Sequence, residues 1–199
     1  MHHKGTITIE TKRLILRQCK MSDAQAMFQN WHSDQEVIKY LRWNAVTHIK
    51  ETQDILSLWM RQYHQKDYYQ WMIEYKEIQE VIGTISVIHH NDKTKMVHIG
   101  YCIGKKWWNL GITSEALQAL ITFFFEEVGV NRIESRHDPN NIYSGKVMMK
   151  CGMKQEGILR QADFSNQGIV DACVYAILKE EYEKRKEVQN GSQRYDYQT

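Results

Sequence analysis

Residues 101–116 read Tyr-Cys-Ile-Gly-Lys-Lys-Trp-Trp-Asn-Leu-Gly-Ile-Thr-Ser-Glu-Ala, and a change of period inside this stretch gathers main-chain donors where an anion can bind. Ile99, Tyr101 and Ile103 alternate with smaller or more polar neighbours, as in a half-buried strand. After Gly111 the spacing becomes three and four, through Ile112, Ala116, Leu117, Leu120, Ile121 and Phe124, which is one buried stripe of a helix. The amides of Leu110, Gly111, Ile112, Thr113 and Ser114 then have no acceptor inside the helix, and the macrodipole adds roughly half a positive charge. Gly111 has no side chain, so phosphate oxygens can approach the main chain. The predicted chemistry is a diphosphate cradle.

The elements that must hold this loop follow from the same periodicities. Residues 11–18 form a first strand with Leu14 and Leu16 on one face. Ser22 caps a helix over 23–40, broken near His32 and Ser33, and Thr47 caps a longer one to Tyr63 with Ile55, Leu58, Trp59 and Tyr63 on its buried stripe. Strands over 69–75 and 81–88, and a third ending at Ile103, form an antiparallel meander. The helix over 112–128 leads to a strand over 132–137, a βαβ unit whose strands are parallel. Pro139 marks a turn, a short helix over 141–151 stops at Gly152, and strands over 154–164 and 169–178 form a hairpin. A last helix over 179–187 precedes a polar tail. The fold class is α/β, a mixed sheet of about seven strands with helices on both faces, in a single domain over 1–187 with 188–199 as a disordered tail.

A chain of 199 residues with 42% hydrophobic residues supports one core. Lys plus Arg number 26 against 24 for Asp plus Glu, so the near-neutral balance predicts no nucleic-acid partner and no membrane surface. No apolar run is long enough to span a bilayer, and the expected location is the cytoplasm. Cys19, Cys102, Cys151 and Cys173 lack CxxC spacing and read as reduced structural thiols. His89, His90 and His98 lie on or beside strands without the spacing of a helical zinc pair, so no metal site is expected.

With these elements in order, Trp108-Asn-Leu-Gly-Ile-Thr113 between strand and helix, Asn141-Ile-Tyr-Ser144 and Lys150-Cys-Gly-Met153 resemble the GCN5-related N-acetyltransferases. Lys12-Arg-Leu-Ile-Leu-Arg17 and Asp171-Ala-Cys-Val-Tyr-Ala-Ile-Leu178 resemble the branch that includes the ribosomal-protein-alanine N-acetyltransferases. The resemblance runs from about Thr11 to Tyr182. It implies two central parallel strands that splay apart, with acetyl-coenzyme A as co-substrate lying in the gap. On that model the main chain of Ile99, Tyr101, Cys102 and Ile103 meets the pantetheine arm, and Trp108, Asn109, Leu110, Gly111, Ile112, Thr113 and Ser114 form the diphosphate loop. Asn141 hydrogen-bonds the cofactor, Ser144 sits near its sulfur, and Asp163 falls where this branch carries a carboxylate base. Trp108 and Thr113 stand where the family usually has Gln or Arg and a small residue. Met148 stands where many relatives have a tyrosine, which leaves Ser144 as the acid.

The implied reaction is direct attack on the thioester, in a ternary complex, by a primary amine such as the N-terminus of a ribosomal protein. Amides near residues 99–102 would stabilise the oxyanion. An α-amine titrates near about 7.8 and a lysine near about 10.4, so the lysine needs about 3.5 kcal/mol more to lose its proton. A carboxylate such as Asp163, near about 3.9, is a weak base unless burial raises it. Glu134 is the alternative base on the strand facing the gap, with water as a third choice, but it reads first as a solvated strand residue; Cys102 reads as small and buried, and Glu115 as a partner of the helix dipole. Trp31, Tyr40, Trp43, Tyr68 and Tyr69 are candidates to line the acceptor cleft. Acetylation of a small amine or antibiotic, and a coenzyme A-binding module without turnover, are the alternatives, and the chain is expected to be a monomer or homodimer.

Overall fold

The computed structural model describes residues 1–195, with side chains described to residue 188. The strands are β1 (Ile9–Glu10), β2 (Leu14–Arg17), β3 (Gln70–Tyr75), β4 (Glu80–Asn91), β5 (Met96–Ile103), β6 (Arg132–His137), β7 (Lys154–Ser165) and β8 (Gly168–Leu178). They form one eight-stranded sheet in the order β1-β2-β3-β4-β5-β6-β8-β7. The helices are α1 (Ala24–Met27), α2 (Gln35–Ile38), α3 (Ile49–Gln62), α4 (Ile112–Phe123), α5 (Ile142–Lys150) and α6 (Lys179–Tyr195). Wide turns over Phe28–His32 and Phe124–Val128 extend α1 and α4.

The mixed sheet and the meander match the sequence reading; the eighth strand is β1, which pairs antiparallel with β2 (Ile9↔Leu16). β2 begins later than expected because Thr11 Oγ1 accepts from the Leu14 amide at 2.9 Å and turns the chain there. Ser22 is not the cap: Asp23 Oδ2 accepts the Lys20 amide at 2.7 Å. Thr47 yields likewise to His48, since Glu51 Oε1 reaches back to the amides of both residues. On α3 the buried positions are Thr52 and Leu56, while Leu58 is 43% exposed. α6 runs past residue 187, and residues 196–199 of the expected tail lie outside the described residues.

Alternation along the strands builds a core on each face of the sheet. Trp71 and Ile73 of β3, with Val97 and Ile99 of β5, pack against α4 and α5 through Leu117, Leu120, Phe124 and Met148. Met72 and Cys102 face the other way, toward Met27, Trp31 and Leu56. The four cysteines are buried and free, as expected. Among the described residues no helix is long and apolar enough to cross a membrane.

Candidate active site

β5 and β6 pair in parallel at three positions only, Met96↔Arg132, Val97↔Ile133 and His98↔Glu134. Beyond them β5 stays with β4 as far as Gly83↔Ile103, and β6 leaves with β8 as far as His137↔Cys173. A bulge in β4 between Val87 and His89 lies opposite Ile99 and His98. Bulges bend a strand and increase its twist, so the strands part where the register breaks. At the vertex Ser135 Oγ donates to the Ile99 carbonyl at 2.7 Å, in place of a ladder bond. Alternate main-chain groups of the rest of β5 therefore face the gap without a strand partner. Across it, Tyr101 Oη donates to the Ser144 carbonyl (2.9 Å) and Ser144 Oγ donates to Tyr101 Oη (3.1 Å). Burial pushes the Tyr101 phenol well above its ordinary value, so it holds its proton.

The loop before α4 is built for main-chain binding. Gly111 is its N-cap at φ 72°, and Asn109 adopts a second left-handed conformation at φ 61°. Trp108 Nε1 donates to the Ile103 carbonyl at 2.9 Å and pins the loop to the end of β5. Among the described residues no protein acceptor is recorded for the amides of residues 110–114. Two cations stand beside them: a Cβ built on Gly111 would lie 3.4 Å from Lys150 Nζ and 3.8 Å from Arg13 Nη2. Arg13 Nη1 also donates to the Leu110 carbonyl at 2.9 Å. Glu115 fixes this arrangement by accepting from Thr11 Oγ1 (2.6 Å), Arg13 N (2.9 Å) and Arg13 Nε (2.6 Å). Burial opposes its ionisation, but those bonds prevail and hold the carboxyl below the usual range. Free convergent amides, two cations and a bare glycine suit a diphosphate.

On the α1–α3 side the gap opens into a cavity of about 590 Å³. Gln70, Thr84, His98, Gly100 and Cys102 form its floor, and Met27, Trp31, Tyr40, Ile55 and Trp59 line its walls. The turn between β7 and β8 roofs it. There Asn166 N donates to the Leu41 carbonyl (2.8 Å), and Asn166 Nδ2 to those of Ile38 (2.9 Å) and Trp43 (3.1 Å). A bulge in β7, with Gln161 at φ 52°, swings Asp163 to this roof. Asp163 Oδ1 accepts from Arg42 Nη2 and from the Phe164 amide, both at 2.7 Å. Several polar groups lining the cavity are unengaged among the described residues, His137 Nε2 among them. Trp31 Nε1 is buried without a partner, and His98 makes no side-chain hydrogen bond among the described residues. Burial and the Arg136 charge push the His98 imidazole down to about 4, so it is neutral.

A family model described as an acetyltransferase (GNAT) domain matches residues 13–154. The chain belongs to the GNAT acetyltransferase family. It is 32% identical, over 88% of its length and 98% of the relative's, to the uncharacterized N-acetyltransferase p20 of Bacillus licheniformis. It is 34% identical to the ribosomal-protein-serine acetyltransferase of Escherichia coli, over 57% of this chain and 63% of that one. A solved RimL, a ribosomal alpha-N-protein acetyltransferase in complex with coenzyme A, shares the fold at TM-score 0.77 and 24% identity, over 88% of this chain and 99% of that one.

Within this acetyltransferase the expected site residues divide into groups. Tyr101, Cys102, Asn141, Ser144 and Asp163 line one cavity. Trp108 to Ser114 do not line it and form the separate loop that leads into the first turn of α4. Ile99, Ile103, Ile112 and Ser114 are buried, so only their main chain can serve a ligand. Asn141 is the N-cap of α5, yet its side chain makes no cap bond and stays available. Trp31, Tyr40 and Trp43 line the cavity. Tyr69 belongs to the core, and Tyr68 is absent from the lining. Glu134 is not solvated: it is buried between Arg132 (3.0 Å) and Arg136 (2.8 Å). Burial opposes its charge, but the two arginines prevail and hold its carboxyl low, so it is a poor base. Cys102 is no nucleophile, because burial pushes its thiol up to about 12. The sequence reading did not assign Arg13, Lys150, Arg42 or His98. Arg13 and Lys150 lay inside motifs already singled out, and their charge was the available signal.

Proposed function

We propose that this acetyltransferase moves an acetyl group from acetyl-coenzyme A to a primary amine, by direct attack in a ternary complex, with a protein N-terminus as the acceptor. The observation that carries the reading is the three-residue pairing of β5 with β6, which opens into a cavity with a cationic amide cradle near its other face. The amides of residues 110–114, with Arg13 and Lys150, hold the diphosphate. The β5 main chain past His98 and the side chain of Asn141 hold the arm that follows. Bound acetyl-coenzyme A supplies a thioester carbonyl open to an amine.

Ser144 Oγ holds a proton at the first turn of α5, backed by Tyr101 Oη. Tyr101 thus brings from β5 the phenol that Met148 does not provide. An α-amine near about 7.8 is about one-third neutral at pH 7.5, so the site needs no strong base to take it up. Attack leaves the nitrogen cationic and far more acidic, and a weak base then suffices. Asp163 is committed to Arg42 and places the acceptor, while His98, neutral and unengaged, accepts a hydrogen bond from the attacking amine, whose proton passes to water. The unpaired Trp31 N–H favours a peptide, whose first carbonyl would satisfy it. The relative that acetylates a ribosomal protein's serine agrees with this acceptor. The latched roof supports a small amine as the second reading. The location proposed under either reading is the cytoplasm.

Thiol release from acetyl-coenzyme A, followed over peptides beginning with Ser or Ala and over polyamines and aminoglycosides, tests the assignment. We expect kcat/KM at least about tenfold higher for the peptides. Turnover of the small amines alone would establish the second reading. Coenzyme A binding by calorimetry with no turnover on any acceptor would leave a binding module.

A further inference from the structure

Far along the sheet from the gap, where the β4–β5 turn closes, the N-terminal segment crosses the edge of the core. His2 N donates to the Val128 carbonyl at 2.9 Å, and Gly5 N to that of Lys66 at 2.7 Å. These bonds hold His3 over the turn. Its Nε2 lies 3.1 Å from Asp92 Oδ1, and His90 Nδ1 lies 3.2 Å from the same oxygen. The three ligand atoms all fall within 4.8 Å of one another. From these positions we infer a binding site for a divalent transition ion of the zinc class, built by His3, His90 and Asp92.

The spacing fits the chemistry. Zinc–nitrogen bonds of about 2.0–2.1 Å set tetrahedral edges of about 3.3–3.4 Å, close to the two nitrogen–oxygen separations. Two imidazoles and one carboxylate leave a position for water, and this donor set suits zinc or cobalt better than magnesium or calcium. One outward nitrogen is held by a hydrogen bond and the other faces a carboxylate. His3 Nδ1 lies 3.0 Å from Tyr69 Oη, itself anchored by the Lys4 amide at 3.2 Å. His90 Nε2 faces Asp67 Oδ2 at 3.8 Å. Such outer partners fix ring orientation, the commonest support of a metal-bound histidine. Spacing along the chain hid the set, because His3 and Asp92 are 89 residues apart. The ion would staple the N-terminal segment to the β4–β5 turn and leave the cleft untouched.

The test uses the full chain without an added histidine tag, freed of metal by a chelator. Cobalt titration should give a visible ligand-field band saturating at one ion per chain, and excess zinc should raise Tm by about 5 °C. Asp92→Asn and His90→Gln should each weaken cobalt binding about 100-fold and abolish the zinc-induced rise. His64→Ala and His89→Ala should change neither, and acetyl transfer should be the same in all variants. A wild-type chain with no band at about 1 mM cobalt would overturn the site, as would Asp92→Asn or His90→Gln binding as tightly as wild type. Asp92 is exposed in a turn, and the metal-free Tm of each variant shows that it folds.

Discussion

The two ends of the cleft are made of different material. The loop before α4, which we propose as the diphosphate cradle, is main chain: five consecutive amides, a glycine in a left-handed conformation, and two cations that approach from the residue before β2 and the end of α5. The cavity proposed for the acceptor is side chain, drawn from α1, α3, β5, β7 and the loops between them. A main-chain site tolerates changes of side chain, so Trp108 and Thr113 can depart from the family's habit without removing a donor. A side-chain site has no such freedom, and selectivity for the acceptor belongs there.

The largest expected effect breaks the first half of this contrast. Gly111→Val combines a β-branched residue at φ 72° with a methyl group against Lys150, and should weaken coenzyme A binding by more than about 300-fold in calorimetry. Next comes a property that the loop before α4 lacks, a titrating group in the floor of the cavity. The His98 pKa in the folded chain, about 4, lies below its unfolded value of about 6.5, so the unfolded chain binds more protons in acid. Stability from this group is complete above pH 6.5 and falls as the pH drops through 6.5 toward 4. The loss is up to about 3 kcal/mol, and His98→Gln should flatten that part of a denaturation series. Ser144→Ala should lower kcat about tenfold with coenzyme A affinity unchanged, separating proton transfer from cofactor binding in stopped-flow traces. Trp31→Phe removes the indole N–H together with the fused ring that carries it, and should raise KM for a peptide about fivefold and for a simple amine by clearly less. Smallest of all, Leu110→Ala should leave coenzyme A affinity within about twofold, because its exposed side chain plays no part in a main-chain grip.

Legibility in the sequence followed the same division. Periodicity located the sheet, the βαβ unit and the loop from Trp108 to Ser114, because local spacing encodes them. The parting of β5 and β6 came from family resemblance, since a bulge at Val87 leaves no mark in the pattern of apolar residues. Asp163 was placed as a base, yet its tie to Arg42 joins positions 121 residues apart and no spacing rule reaches that far. Glu134 misled for a related reason: its burial depends on arginines two residues away on either side, which read as solvent-facing in an alternating strand. Nothing local announced His98 as a neutral group, because its environment is assembled only when the strands separate.

Asn166 makes its three bonds to main-chain carbonyls, which any sequence in the loop from Ile38 to Trp43 would still present. The clasp itself therefore survives side-chain changes in that loop, although Arg42 is tied to Asp163, and lifting the clasp would widen the way for a bulky guest. Selectivity can then drift over evolutionary time without disturbing the chemistry beneath, and for large guests the pace of turnover would follow the lifting of this clasp.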